Sequence, residues 1–350
     1  MRLPVTERVR VLAGYTPGEQ PTESSLVKLN TNENPYPPSP RVVQAVAREA
    51  ADCLERYPSP MADELREKAA AVHGVDPDQV LAGNGSDELL AICLRACAGE
   101  GGVVAYTTPT YSLYRTLAEI VGARIVEIES RSCTELAASR PAVSFVCNPN
   151  SPLGFGVATA EIAELASSVD GLVVSDEAYA DFGDCSALAL VGAVPNVIVV
   201  RSFSKSFSLA GVRLGLAFGH RDLIAELAKV KDSYNVSRLA VAAGVAALDD
   251  HDGMRANVAR VCATRERVTA VLRAAGFDVA DSQTNFLWVD CGAEGGRAAF
   301  ERLRERGVLV RYFDAEGLRS GIRVTVGTDS QMDRFLEVLT RRPGRNDPVG

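Results

Sequence analysis

The sequence predicts an α/β protein with a mostly parallel sheet, helices on both of its faces, and a smaller α+β domain at the C-terminal end. Three observations predict it. Beyond Gly74, short continuous apolar runs alternate with stretches of helical spacing, as strands buried on both faces and their crossover helices do. Near residue 250 that alternation gives way to a long arginine-rich amphipathic stretch and then a β-α-β-β-α order. The chain's 350 residues, 47% hydrophobic and 23% charged, suit one large or two modest domains with a sizeable core.

Residues 1–38, through "NTNENPYPPSP", are rich in Asn, Pro and Thr and have little periodicity, so they read as an extended N-terminal arm. "PRVVQAVAREAADCLERYP" has helical spacing and is expected to stop at Pro58. "MADELREKAAAVHG" is a second helix, ended by Gly74. The large domain, residues 39–250, then places strands at "GGVVAY", "AVSFVC", "GLVVSD", "NVIVVRS" and "RLGLAFG". Helices fall at "SDELLAICLRACAG", "TYSLYRTLAEIVG" and "TAEIAELASSV". The small domain, residues 251–342, opens with the helix "DGMRANVARVCATRERVTAVLRAAG". It continues through "TNFLWVD", "GRAAFERLRERG", "VLVRYF", "GIRVTVG" and "DSQMDRFLEVLTRR". The tail, residues 343–350, is expected to be disordered.

A net charge of −8 argues against general binding of nucleic acid or anionic membrane. Any anion must then be held by local groups. The N-terminus has no long apolar core and does not read as a signal peptide. The longest apolar run, "LAVAAGVAAL", is too short for a membrane span. The eight cysteines are scattered without a CxxC pair, so a reduced, cytoplasmic, metal-free protein is expected.

Ligands of open α/β sheets bind beyond the carboxyl ends of the strands, so the residues that follow each apolar run carry the chemistry. "GLVV" leads into "SDEAYADF", with Asp176 at the strand end and Tyr179 three residues on. The ordinary reading of Asp176 is a helix cap or rim charge; the functional one is a partner for a cationic ligand group. "NVIVV" leads into "RSFSKSF". Lys205 there is either a solvated lysine or an amine that attacks a carbonyl, a role open to lysine because desolvation can leave it neutral. Ser202 and Ser204 share one face, and Arg213 can add charge-assisted hydrogen bonds to an anion. "LAGNGSDELL" is a glycine-rich turn opening a helix, an anion seat by its free N–H groups and dipole or an ordinary helix start capped by Ser86. Tyr111 in "YTTPTYSLY" is either a core aromatic or a platform for a flat ring. One ligand needs all of these together: pyridoxal phosphate, whose aldehyde takes a lysine, whose ring nitrogen takes an acid, and whose phosphate takes a helix N-terminus with Ser and Arg.

The sequence resembles the class I/II aminotransferases of fold type I, and within them the histidinol-phosphate aminotransferase family. The resemblance rests on "LNTNENPYPPSP", "RYPSP", "GNGSDE", "TPTYSLY", "CNPNSPLG", "SDEAYADF", "RSFSKSFSLAGVRLG", "TNFLWV", "GVLVRYF" and "GIRVTVGT", which run in the family's order over nearly the whole chain. It implies that Lys205 is the Schiff-base lysine and proton carrier, Asp176 the acid on the pyridine nitrogen, and Tyr179 the phenol beside the ring's 3-oxygen. Tyr111 would stack on the ring. Ser86 and Asp87 would form the phosphate turn, with Ser202, Ser204 and Arg213 as further phosphate ligands. Tyr57 would reach the cofactor phosphate of the neighbouring subunit, which implies a homodimer with shared sites. Arg323 would take the substrate's α-carboxylate, and Arg311 and Tyr15 would meet its distal phosphate end. Glu33 and Asn34 match the arm motif without an implied role.

One segment departs from the family. The Asn-Pro-Thr-Gly pattern, whose Asn bonds the ring's 3-oxygen, reads here with Ser151 at the Asn position and Leu153 at the Thr position. The shorter Ser151 hydroxyl reaches less far, while Asn150 is expected to point elsewhere. The activity implied is ping-pong transamination between an amino donor, histidinol phosphate, and 2-oxoglutarate. Three other readings stand beside it: an aromatic amino-acid transaminase, a pyridoxal-dependent decarboxylase or oxidase prompted by Ser151, and a regulator with an aminotransferase-like domain. The last requires an appended DNA-binding module.

Overall fold

The computed structural model describes residues 4–15, 17–21 and 25–341; the expected disordered tail lies outside them. The arm begins with a short helix, α1 (Glu7–Val11), and a two-residue strand, β1 (Val27–Lys28). Two helices follow, α2 (Pro40–Asp52) and α3 (Asp63–His73). Pro40 starts α2 at the position where a missing N–H costs nothing. α2 ends at Asp52, short of Pro58, while Gly74 caps α3 at φ 70° as its sequence position predicts. Next come β2 (Val80–Gly83), α4 (Ser86–Cys97), β3 (Val103–Thr108), α5 (Leu113–Val121), β4 (Arg124–Glu129), β5 (Val143–Cys147), α6 (Thr159–Ser168), β6 (Leu172–Asp176), β7 (Val197–Ser202) and β8 (Gly215–Gly219).

These strands form a seven-stranded sheet in the order β2-β8-β7-β6-β5-β3-β4. β8 alone runs against its neighbours β2 and β7, and the other pairs are parallel. All the residues of β5, β6 and β8 are buried, which explains why these strands read as unbroken apolar runs. One core face carries Val146, Val173, Val199 and Leu216, and the other Phe145, Val174, Val200 and Ala217. The side chains alternate between the faces as the strand period requires.

Helices α7 (Arg221–Ala228), α8 (Arg238–Asp249) and the long α9 (His251–Ala274) lead to the second sheet. It contains β9 (Asp278–Val279) and β10 (Phe286–Asp290). After α10 (Gly296–Glu305) and the two-residue β11 (Val308–Leu309), β12 (Arg311–Tyr312) and β13 (Gly321–Thr325) complete it, and α11 (Asp329–Thr340) packs on it. The order is β12-β13-β10-β9, with antiparallel pairing throughout. A separate core of Leu272, Leu287, Val289, Leu303, Val324 and Phe335 holds it.

Two details differ from the sequence reading. "VLVRYF" is not one strand: β11 pairs with the arm strand β1, while β12 pairs with β13. The arm therefore forms a two-stranded sheet with β11 and, through the Leu29 carbonyl, accepts from Thr325 N of β13 at 2.9 Å, rather than being merely extended. The apolar run of α8 is a buried helix packed on the first core. No helix among the described residues is long and apolar enough to cross a membrane.

Candidate active site

The carboxyl ends of β2, β3, β5, β6 and β7 open on one edge of the large sheet. There they meet the arm and β13 around a pocket of about 250 Å³. Its lining brings together Tyr15, Ser86, Asp87, Tyr111, Ser151, Asp176, Tyr179, Ser202, Ser204, Lys205, Arg213, Arg311 and Arg323. Of the residues singled out from sequence, Tyr57 lies outside this pocket. It is exposed on the surface, stacked on Tyr234 with ring centroids 4.5 Å apart.

At one end, β2 turns through Gly85 at φ 82° into α4. Ser86 is the first residue of that helix and not its cap. Gly85 holds the cap position and no side chain covers the helix end, so the first-turn N–H groups are left for a ligand. Arg213 lies beside this turn. Its Nη2 donates to Asp87 Oδ2 at 3.1 Å and its Nη1 to Ser204 Oγ at 3.5 Å. Asp87 also accepts from Tyr111 Oη at 3.3 Å, so its carboxylate orients a cation and an aromatic ring. β8 passes so close that a Cβ on Gly215 would stand 2.7 Å from the Ser86 nitrogen; the turn requires glycine there.

In the middle, Asp176 ends β6 and is buried to 4% exposure. Burial raises its pKa to about 6, against the hydrogen bond from Tyr114 Oη at 2.7 Å, which lowers it. A buried carboxylate at this position favours a cationic partner. Tyr114 was not anticipated as a site residue. It sits in the first turn of α5, three residues after Tyr111 and edge-on to that ring at 5.6 Å, and the paired tyrosines of "TYSLY" are the signal that could have found it.

Lys205 follows β7. Its Nζ donates to the Thr31 carbonyl at 3.2 Å and lies 5.9 Å from the centre of the Tyr179 ring. Burial, then the cation of Arg323, lower its pKa to about 8. The amine is thus within reach of its neutral, nucleophilic form near neutral pH. Asn34 of the arm donates to the carbonyls of Lys205 and Ser206 at 2.9 and 3.3 Å, which gives the "NENP" segment a contact that sequence reasoning could not assign. Behind the loop, Arg201 bridges Glu177 and Asp181 at 3.0 Å each, and Asp181 accepts from Ser206 Oγ at 2.5 Å. That network joins the residue after Asp176 to the residue after Lys205.

At the far end, Arg323 is half-buried between Phe286 and Phe313. Its Nη1 donates to Ser151 Oγ at 3.1 Å and its Nη2 to the Asn30 carbonyl at 3.2 Å, and no carboxylate among the described residues pairs with it. Burial lowers its pKa. Arg311 stands directly opposite it on β12, with its guanidinium 5.3 Å from the Phe313 ring. Two cations in cross-strand register are destabilising unless an anion comes between them. Tyr15 meets Tyr111 edge-on at 6.1 Å. Ser151 Oγ thus accepts from Arg323 and keeps its own hydrogen. Asn150 turns away, donating to the Pro109 carbonyl at 3.1 Å.

The pattern named "Aminotransferase class I and II" matches residues 24–339. The chain belongs to the class I and II aminotransferases. It is 45% identical over 341 residues to the histidinol-phosphate aminotransferase of Syntrophotalea carbinolica, covering 96% of this chain and 98% of that one. It is 44% identical to histidinol-phosphate aminotransferase 1 of Nostoc sp., covering 95% and 96%. The crystal structure of histidinol-phosphate aminotransferase from Sinorhizobium meliloti in complex with pyridoxal 5'-phosphate superposes with a TM-score of 0.84 at 27% identity over 89% of each chain. The fold of this aminotransferase is accordingly fold type I. Its residues fit a pyridoxal phosphate: an uncovered helix N-terminus beside Arg213, a buried acid, an aromatic platform and a lysine of lowered pKa lie in one pocket.

Proposed function

We propose that this aminotransferase uses pyridoxal phosphate to move an amino group between histidinol phosphate and 2-oxoglutarate. The observation that carries the substrate is the pair Arg311 and Arg323, in direct cross-strand register and lining one pocket. A single arginine suffices for the α-carboxylate of an amino acid. A phosphate ester, with up to two negative charges and three acceptor oxygens, suits two. The relatives named above act in the same sense. When bound, the cofactor supplies a carbonyl for the amine and a ring that accepts electrons from the substrate carbon.

The chain's residues then divide the work. The α4 N-terminus, Ser86, Ser202, Ser204 and Arg213 hold the cofactor phosphate, with Asp87 orienting Arg213. Tyr111 stacks on the ring, and Asp176 keeps the ring nitrogen protonated. Tyr179 meets the ring's 3-oxygen. Lys205 would hold the cofactor covalently through its amine and, when freed, would carry the proton between the donor's Cα and the cofactor's carbonyl carbon, which lies across the shared nitrogen. Arg323 grips the anion nearest the reacting carbon, and Arg311 and Tyr15 flank the phosphate. Residues 1–38 serve as the arm, 39–250 as the cofactor-binding domain and 251–342 as the small domain. Tyr57 completes the neighbouring subunit's site in a homodimer; its 77% exposure, stacked on an exposed Tyr234, is what such a contact leaves in one subunit alone.

The test is a substrate panel on the cofactor-loaded enzyme. Histidinol phosphate should turn over only with a keto-acid acceptor, and Lys205→Ala should abolish both turnover and the visible band of the covalently held pyridoxal. Good turnover of phenylalanine with none of histidinol phosphate would replace this reading with an aromatic transaminase.

A further inference from the structure

Asn32 lies in the arm, one residue past the carbonyl that receives Lys205. It is 1% exposed and sits at φ 55°, a left-handed conformation that asparagine tolerates better than most side chains. Four hydrogen bonds hold it. Its backbone N–H donates to Thr325 Oγ1 at 2.9 Å, and its carbonyl accepts from Asn285 Nδ2 at 2.9 Å. Its Oδ1 accepts from the Thr325 hydroxyl at 3.1 Å, and its Nδ2 donates to Tyr179 Oη at 2.9 Å.

The direction of this chain is forced. Thr325 Oγ1 already accepts the Asn32 N–H, and its single hydrogen has no acceptor other than Asn32 Oδ1 among the described residues. Turning the amide over would strand a buried hydroxyl hydrogen. The Nδ2 group therefore faces Tyr179. A phenol oxygen that accepts from an amide keeps its own hydrogen for another partner. Tyr179 lines the pocket, and its hydroxyl has no other hydrogen-bond partner among the described residues.

We propose that Asn32, fixed by Thr325, is a positioning residue that aims the Tyr179 hydroxyl hydrogen into the pocket, at the 3-oxygen of the pyridoxal ring. This rests on the reading of Tyr179 given above. Ser151, at the position where the family carries an amide for that oxygen, accepts from Arg323 Nη1 through its Oγ. Asn32 is the group that orients the phenol. Burial keeps the phenol raised to about 12, although Arg323 and the Asn32 bond both lower it, so it holds its hydrogen at working pH. The charged or titratable groups facing it are Arg323, Lys205, Cys147, Asp176 and Tyr111. None of them changes in the test.

The test titrates the visible absorbance of the cofactor-loaded enzyme against pH, with the thermal midpoint measured alongside. Asn32→Gly keeps the left-handed backbone and its two backbone bonds but removes the amide. Asn32→Asp keeps the size but offers acceptors that pull the phenol hydrogen away from the pocket. Thr325→Val frees the amide to turn over and serves if the Asn32 variants lose the cofactor. Without the aimed hydrogen, the ring oxygen holds its neighbouring proton more tightly. All three should raise the apparent pKa of the absorbance change, by about one unit, or tenfold in proton affinity, for the Asn32 pair. Tyr179→Phe should raise it as well, and adding Asn32→Gly to it should change nothing further. If Tyr179→Phe shifts the titration while the other three move only the thermal midpoint, Asn32 merely anchors the arm and the inference is overturned. If Tyr179→Phe itself leaves the titration unmoved, the placement of Tyr179 fails, and the inference falls with it.

Discussion

Lys205 and Asp176 line one pocket and are both pushed toward neutrality by burial, but they pull stability in opposite directions with pH. In the cofactor-free chain Lys205 has a folded pKa of about 8 against an ordinary 10.5. Between those values the unfolded chain holds a proton that the folded chain has lost, so folding gains stability as pH rises through that window. Asp176 has a folded pKa of about 6 against an ordinary 3.8. There the folded chain holds the extra proton, so stability falls as pH rises from 3.8 to 6. Each shift corresponds to roughly 3 kcal/mol. Lys205→Met should therefore stabilise the cofactor-free protein at pH 7 and erase the gain above pH 8. Asp176→Asn should stabilise it at pH 7 and erase the loss below pH 6. Urea denaturation across pH checks both. A Lys205→Met protein that is less stable than the parent at pH 7 would mean that its Thr31 hydrogen bond outweighs its desolvation.

At the scale of elements, the anion turn exists because three pieces of backbone touch. β2 ends at Gly83, the chain turns at Gly85, and β8 enters beside it at Gly215. Gly215→Ala would place a Cβ 2.7 Å from the Ser86 nitrogen and 2.8 Å from the Gly85 carbonyl carbon. Neither atom belongs to a flexible side chain, so strand or turn must shift. The expected result is a loss of about 1–3 kcal/mol in stability and weaker cofactor binding by equilibrium titration. Gly211→Ala meets nothing within 4 Å and has no positive φ, so it should leave both unchanged. The strands that aim Asp176 and Lys205 were legible because burial on both faces makes β6 and β7 continuous apolar runs. Elements whose partners lie far along the chain were not. β1 is only two residues long and pairs with β11, Val27 with Val308, a register that no local pattern carries. The same break divides "VLVRYF", where Val310 lies between two short strands that face different partners. Asn32 and Tyr114 were missed for a related reason. Their roles are set by Thr325 and Asp176, which are distant in sequence and become neighbours only when the arm and the strand ends are folded together.

Across the whole molecule, the arm bridges the two sheets. Residues 30–34 receive Arg323 at Asn30 and Lys205 at Thr31, touch Tyr179 through Asn32, and hold the lysine loop through Asn34. A pocket assembled from every part of the chain still leaves Tyr57 outside, on a surface where Tyr57 and Leu54 are 77% and 63% exposed. Side chains of that size are rarely left open in a cluster unless a second surface covers them. If that surface belongs to another copy, one chain's Tyr57 serves the other chain's lysine, and the two defects can be placed on separate subunits. Tyr57→Ala and Lys205→Ala homodimers would each be impaired, the second completely. After the two are unfolded together and refolded, random pairing makes half of the dimers mixed. In a mixed dimer one site carries both defects. The other combines an intact Lys205 with the intact Tyr57 of its partner, so about a quarter of all sites should regain full activity. Cofactor affinity should recover in the same fraction. If instead Tyr57 acts within its own chain or only packs against Tyr234, every Lys205-bearing site in the mixture still has the Tyr57 defect. Activity would then stay at the level set by the Tyr57→Ala chains alone, whatever the mixing ratio.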